Sequence, residues 1–458
     1  MGSNYNYEVC IVGLGPAGIG AALTLSRSNL ASHMLCLDSG NSINNRHCPI
    51  LQNNICKKEK PCSMISGIGG ASLLGGHKIS IFPAGSEIGT IVGSIDIYDE
   101  KLTKALKILN IYLPLQKPNI SNSDITAAKD IFEKDGFQFR YYDSYVCNQE
   151  SLKYAYENIL SQLHGADVTI LPNSEIIQVA YEDNYFKLIV QQDSNTFIVT
   201  SKYLILGVGR LGQNFLKSLN RKFNLGGEEN HLEIGVRLEF PTEIYSDIDK
   251  YHNDLKLLYN DIRTFCVCKG GKLAPYYLND MFILDGYYDP ANKTNFTNLA
   301  IMLRLKPSEQ NNQILDEVKK RVLQISDGKP VGQMLIDYLN LNIENKTLST
   351  LSKNSISFWV NGEVSQCFPE PYSTRIKEGV HKFVSTNLSK DTWGKVNIFA
   401  PAIEYSWLKF TVKSDFSILP RMYLIGDCTG RFRGILQAFC SGIICAENII
   451  GDAYEKDI

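Results

Sequence analysis

The chain has 458 residues, 44% of them hydrophobic, which is enough to bury more than one ordinary core; two intertwined domains are expected. Its 46 Lys and Arg against 48 Asp and Glu leave a net charge of -2. That balance lacks the basic excess with which proteins neutralise a phosphate backbone, so no nucleic-acid partner is expected.

The segment Met1 to Tyr7 is short and polar, without a basic stretch or a small-residue cleavage site, and no export signal is read there. The apolar stretches Leu14 to Leu25 and Ile435 to Ile450 are interrupted by Gly, Pro, Thr, Gln, Ser or Glu. Both fall short of the roughly 18 residues a membrane span requires, and a cytoplasmic protein without a transmembrane segment is expected. Twelve cysteines in a chain of this size do not make a disulfide framework, and Cys10, Cys36, Cys440 and Cys445 lie in apolar runs where a thiol packs as a small hydrophobe.

In chain order, Glu8 to Val12 reads as a strand, Pro16 to Ser28 as a helix and Met34 to Leu37 as a second strand, a βαβ unit. Arg46 to Ser86 dissolves into Gly, Cys, Pro and Lys, a long loop of the functional kind. Helical spacing follows at Asp99 to Leu109 and Gln149 to Leu163. Four runs then suggest a meander: Val168 to Leu171, Ile176 to Tyr181, Phe186 to Gln191 and Phe197 to Leu206. From about Gly227 the pattern changes to alternating strands at Glu233 to Phe240, Asp261 to Cys268 and Leu299 to Leu305. A helix carrying Ile314, Leu315, Val318, Val322 and Ile325 follows, stopped by Gly328 and Pro330. Met422 to Ile425 returns to an apolar strand, and Gly434 to Ile450 is a helix apolar nearly all round, hence buried. Its small residues Gly434, Ala438, Gly442 and Ala446 form a stripe suited to lying close to a sheet or a cofactor. The expected organisation is α/β: a Rossmann-type nucleotide-binding domain from residues 1–226 and 412–458, with an α+β substrate domain, 227–411, inserted.

Gly13-Leu14-Gly15-Pro16-Ala17-Gly18 sits between strand and helix, as the dinucleotide fingerprint requires. Gly13 permits the turn, Gly15 lets backbone approach a pyrophosphate, and Gly18 lets the helix press on the strand. The helix start supplies partial positive charge to the phosphates. Asp38, twenty-five residues after Gly13, is placed to accept hydrogen bonds from an adenosine ribose and to repel a 2′-phosphate.

NAD and FAD share that fingerprint, and the far end of the chain decides between them. A second strand-to-helix turn, Gly426-Asp427 followed by Arg433-Gly434-Ile435, suits the longer FAD. Asp427 would meet ribityl or phosphate oxygens, and the helix start would stabilise negative charge on the reduced flavin. GxGPAG at residues 13–18, Leu204 to Arg210 and Ile425-Gly426-Asp427 together resemble the glutathione-reductase-type FAD fold. More narrowly, Arg46-His47-Cys48-Pro49, Gly67 to Ala71, Ile234 to Arg237 and Arg263 to Cys266 resemble an uncharacterised family of bacterial and archaeal FAD-dependent dehydrogenases. The chain departs from that family's usual loop at Ser72 to Lys78. The resemblance implies bound FAD and redox chemistry and no particular substrate. The expected cofactor set is completed by Ser39, Arg46, Gly69, Gly70, Ala71, Ile176, Gly207 and Gly209.

Gly207 to Gly212 is formally a second fingerprint, but a polar loop rather than another βαβ unit follows it, so it is read as closing the FAD domain. The five glycines of Gly67 to Gly76 are read as flavin contact, against the alternative of a surface loop. Cys48, Cys56 and Cys62 match no common metal spacing and no metal is expected; they are read as structural, with a redox-active thiol pair as the alternative and a metal site behind it. Lys269-Gly270-Gly271-Lys272 signals a hairpin, with Thr264, Cys266 and Cys268 on one strand face and Arg263, Phe265 and Val267 on the other. Cys266 and Arg263 are the catalytic candidates. Arg263 with Arg237 could clamp a substrate carboxylate, or both could make ordinary ion pairs; buried packing is likewise the competing reading for the thiols.

The expected function is hydride transfer between a small organic substrate and FAD, with the electron donor or acceptor unknown. Two alternatives stay open at this point: a reductase or monooxygenase fed by NAD(P)H without its own NAD domain, and a non-catalytic flavin-binding sensor or assembly protein.

Overall fold

The computed structural model describes residues 4–52, 54–246, 248–252, 254–340, 348–405 and 408–456. The start of the polar segment read for an export signal, Met1 to Ser3, lies outside them.

The first strand, Asn4–Val12, has parallel neighbours on both sides, Val9 opposite Met34 and Cys10 opposite Leu204. Parallel strands covered on both faces need unbroken apolar runs, and Val9, Cys10 and Ile11 are fully buried. The sheet runs Ser417–Leu419, Met422–Leu424, Asn195–Leu206, Asn4–Val12, Met34–Leu37, Thr169–Leu171. Both ends of the chain therefore build one sheet, which has the α/β, Rossmann-type arrangement. The expected meander needs one correction. Thr169–Leu171 is the parallel partner of Met34–Leu37, and only Ser174–Glu182, Tyr185–Gln192 and Asn195–Leu206 form antiparallel ribbons.

The fingerprint helix, Pro16–Leu25, and the closing helix, Ile435–Lys456, cross at backbone contact. A Cβ on Gly442 would lie 2.0 Å from the Ala17 carbonyl oxygen, and one on Gly20 would lie 2.4 Å from that of Phe439. The small-residue stripe thus serves a helix–helix contact rather than a sheet. The stretch Ile435–Ala453 also passes the length and hydropathy of a membrane span, contrary to expectation. It lies two-thirds buried in this fold.

A second sheet runs Val360–Asn361, Val331–Met334, Asn397–Glu404, Leu232–Pro241, Phe296–Leu305, Ile262–Lys269, Lys256–Tyr259, Gln138–Arg140. Its last strand comes from the segment expected to belong wholly to the nucleotide domain. One face carries Ile234, Val236 and Leu238 and is apolar, and helix Tyr372–Asn387 buries Ile376, Val380 and Phe383. On the opposite face Glu233, Arg237 and Glu239 alternate with them, all nearly fully buried. Helix Gln310–Ser326 ends as expected in a left-handed turn, though Asp327 (φ 53°) takes the first left-handed position ahead of Gly328.

The expected hairpin at Gly270-Gly271 does not form a paired ribbon. Lys272–Leu278 pairs with Met281–Tyr287 instead, as a separate two-stranded ribbon. Gly270, at φ 69°, turns the chain out of the sheet. The ribbon then packs against the sheet's polar face, placing Gly286 beside Arg237 and Cys268.

Candidate functional site

A cavity of about 1480 Å³ lies where the carboxyl ends of the parallel strands meet the polar face of the second sheet. Pockets for one small ligand usually measure about 300–1,000 Å³. Its walls bring together Gly13, Gly15, Pro16, Ala17, Asp38, Ser39, Gly70, Ala71, Ile176, Gly207, Gly209, Gly426, Asp427, Arg433, Gly434 and Ile435, with Arg263 and Cys266 from the inserted segment. Residues far apart in sequence thus converge on one space.

The fingerprint glycines divide by what they meet. Gly13, at φ 94°, packs under the Gly207 carbonyl, which a Cβ would approach to 2.4 Å; a Cβ on Gly18 would lie 1.9 Å from the Gly13 carbonyl oxygen. Those two are demanded by the fold. Gly15 is different: its φ of -72° suits any residue, and the nearest atom to an added Cβ is the Gly70 Cα at 3.6 Å. Its bare backbone faces the cavity. No side chain caps the helix that starts there, leaving its first N–H groups and the positive end of its dipole directed at the cavity.

Asp38 is tied to backbone more than expected. Its Oδ2 accepts from the Leu14 N–H at 2.8 Å and its Oδ1 from the Gly40 N–H at 2.9 Å. Burial pushes its carboxyl above the ordinary range, against the pull of these N–H groups and of Arg46. The Gly67 N–H adds a third bond, and of the four lone-pair sites of the carboxylate one remains for a ribose hydroxyl.

Three expected cofactor residues do not line the cavity. Arg46 is buried and spends its guanidinium on carbonyls: Nε and Nη2 on Ser63, Nη1 on Ile68 (3.0 Å) and Gly70 (2.6 Å). Its hydrogen bonds hold the glycine loop in shape. Gly69, at φ 90°, faces the Tyr156 ring, and Gly18 serves helix–strand packing.

At the other turn, Asp427 is pushed up to about 6 by burial, with Arg210 pulling the other way. Arg433 Nε lies 3.7 Å from Asp427, and Arg433 also pairs with Glu404. Burial and the neighbouring Arg210 draw the Arg433 guanidinium down to about 9. Arg210 approaches Asp285 (3.6 Å) and Glu404 (3.9 Å) and covers the Tyr276 ring. Gly434 (φ 127°) leads into the closing helix, whose Gln437 donates through Nε2 to Ser80 and Ala84 carbonyls and so pins the loop beside it.

The strand expected to roof the cavity carries a bulge that changes its facing. Phe265 pairs with Ala300 but Cys268 pairs with Asn298, so three steps on one strand answer two on the other. Thr264 turns into the sheet, donating to the Leu255 carbonyl and accepting from the Leu257 N–H. Cys266 and Cys268 point together into the space beneath, with Arg263 and Phe265 beside them instead of opposite. Neither arginine is spare for a substrate carboxylate. Arg263 stacks on Phe265 and pairs with Glu233 at 2.5 Å; Arg237 donates to Asn298 and to the Cys266 carbonyl.

Reading the sequence missed Glu233, Arg304, Asp285, Glu404, Tyr276, His77, Lys78 and Asp254 as cavity residues. One signal was present: Glu233, Arg237 and Glu239, with Gly235 between the first two, fall on one alternating face of an otherwise apolar strand, a polar stripe with no reason to face a core.

No family model matches the sequence. An uncharacterized protein of Clostridium beijerinckii is 21% identical over 330 residues, covering 65% of this chain; the chain thus spans 60% of that relative's length. Among solved structures, a geranylgeranyl bacteriochlorophyll reductase-like protein of Thermoplasma acidophilum is 14% identical, with a TM-score of 0.43, over 99% of this chain and 80% of its own. An E. coli quinol fumarate reductase is 9% identical (TM-score 0.45; 99% and 71%), and a flavoprotein/dehydrogenase of Cytophaga hutchinsonii 10% identical (TM-score 0.43; 98% and 79%). At such distances the reading of the site rests on this chain's own geometry.

Proposed function

We propose that the protein is an FAD-dependent oxidoreductase that transfers a hydride between a small organic substrate and the flavin. The observation that carries this reading is that two helix starts, at Gly15 and at Gly434, open into one cavity of about 1480 Å³. The first suits a pyrophosphate; the second lies where a longer cofactor would end, and a nicotinamide dinucleotide has no use for it. Gly207 to Gly212 adds no second nucleotide domain, because helix Gln213–Phe223 leads into the second sheet rather than to another parallel strand.

The residues present fit that cofactor. Gly15 and the N–H groups behind it would hold the pyrophosphate, Asp38 the adenosine ribose, and Asp427 the ribityl hydroxyls. FAD bound there would supply the hydride-accepting ring. The paired arginines and carboxylates of the second sheet would exclude bulk water and orient a polar substrate against it.

The purified protein is expected to be yellow and to release FAD on denaturation. A colourless protein that ignores added FAD but retains NAD would overturn the reading.

Asp427 gives a finer test. Asp427→Asn is expected to weaken FAD binding by on the order of 1–3 kcal/mol, the cost of a lost charge-assisted bond. The raised carboxyl also makes a prediction for the flavin-free protein. A group whose value rises on folding contributes stability that is lost as pH rises from the ordinary carboxylate range through about 6. The variant should lack that decline, and denaturation of the apoprotein from pH 4 to pH 7 measures it; identical profiles, with unchanged FAD affinity, would remove Asp427 from the site.

A further inference from the structure

Cys266 and Cys268 lie with their Sγ atoms 3.9 Å apart on the wall of the cavity. A regular strand spaces residues two apart by about 6.7 Å between Cα atoms, at the outer limit of what a disulfide spans. Residues two apart on a strand already share a face, and here the bulge and the left-handed backbone of Cys266 (φ 49°) leave the two Sγ atoms only 3.9 Å apart. A non-glycine residue held at positive φ is uncommon and gathers at functional sites.

The surroundings suit thiol chemistry. Arg237 donates from Nη2 to the Cys266 carbonyl at 2.7 Å, and Lys78, bonded to the Val267 carbonyl, pairs with Asp254 at 3.3 Å. Gly286 leaves the room: a Cβ there would lie 2.2 Å from Arg237 Nη2 and 2.8 Å from Cys268 Sγ. The hydrogen bond between the two thiols draws Cys268 below the ordinary thiol range against its burial, helped by Lys78 and Arg237, and pushes Cys266 above it. The two thiols thus share one hydrogen bond, an arrangement in which one sulfur gives up its proton before the other.

We infer that Cys266 and Cys268 form a dithiol–disulfide couple, a second two-electron centre that exchanges electrons with the flavin. This rests on the FAD reading above for its electron partner. In the oxidising direction the two S–H bonds are lost and one S–S bond forms. Two electrons and one proton pass to the oxidised flavin, and the second proton leaves to solvent; the reverse step returns both protons and both electrons.

The test uses the whole protein. Trypsin cuts after Arg263 and Lys269, releasing Thr264 to Lys269 with these two cysteines alone, so alkylation and mass analysis count them directly. Protein equilibrated in glutathione buffers of graded poise, with and without flavin, should yield this peptide either doubly alkylated or lighter by two hydrogens and unalkylated. In anaerobic dithionite titration, oxidised wild-type protein should take up twice as many electrons per flavin as Cys266→Ser or Cys268→Ser. A peptide that never closes its disulfide, in either form, overturns the couple. A disulfide that forms while wild type and variants take up equal electrons overturns its exchange with flavin. A protein that binds no flavin defeats the functional reading and with it that exchange, while the peptide still decides whether the couple exists.

Discussion

Gly15→Val is expected to lower FAD affinity by about 100-fold or more, about 2.7 kcal/mol, while leaving the protein folded. The asymmetry comes from the neighbours. At Gly15 the backbone is extended, with φ -72° and ψ -175°, which valine adopts freely, and an added Cβ meets only the Gly70 Cα at 3.6 Å. The fold has no need of glycine there. A pyrophosphate drawn to the open N–H groups of the fingerprint helix would need that space, and branched methyl groups would stand in it. Gly18→Ala is the contrasting control, because its Cβ would meet the Gly13 carbonyl oxygen at 1.9 Å and the damage would fall on stability. Titrating apoprotein with FAD alongside a melting curve separates the two. Unchanged FAD affinity in folded Gly15→Val would take the fingerprint out of the cofactor site.

The second large effect is expected at Glu233, where substitution by alanine should cost about 3–5 kcal/mol of stability, the range for breaking a buried ion pair from one side. Glu233 is 4% exposed, and its Oε2 accepts from Arg263 Nε at 2.7 Å while its Oε1 accepts from Arg304 Nε at 2.6 Å. Arg304 reaches solvent and can be rehydrated once its partner is gone. Arg263 is far less free to do so: its side chain is 11% exposed, it stacks on Phe265, and it faces Lys256, whose amine burial and Arg263 already draw down to about 7.

The pH dependence follows from the same contacts. Burial alone would raise the Glu233 carboxyl, but Arg263 and Arg304 more than offset it, and its value falls below the ordinary 4.5. A carboxylate lowered on folding contributes its stability above the unfolded value and loses it as pH falls through the folded one. The gap between wild type and Glu233→Ala in urea denaturation should therefore be full at pH 7 and shrink below about pH 4.5. A gap that is absent at pH 7, or that does not narrow in acid, would show that the triad does not hold the polar face together.

How much of the site was legible beforehand depends on how local its causes are. Gly13, Gly15 and Gly18 could be assigned separate roles from spacing alone, because a turn between an apolar strand and a helix leaves few ways for the backbone to run. The closing turn at Gly426, Asp427 and Gly434 was legible for the same reason. Arg46 could not be placed from sequence, because an arginine beside a glycine loop can serve a ligand or the loop's own carbonyls, and only the folded loop shows six carbonyl bonds. Cys266 and Cys268 share a face as their spacing predicts, but Thr264 leaves that face and Arg263 and Phe265 join it at a bulge, and a bulge is set by register against the partner strand, Ala300 and Asn298, thirty or more residues away. The charged residues around the cavity escaped for a related reason. Arg263 meets Glu233 across the strand Phe296–Leu305 that lies between theirs, Arg433 ahead of the closing helix meets Glu404 at the end of a second-sheet strand, and Lys78 meets Asp254 from 176 residues away in the chain. Local backbone constraint put the nucleotide turns and the shared face of the two thiols within reach of the sequence; which charges are paired was decided by packing between segments that the sequence keeps apart.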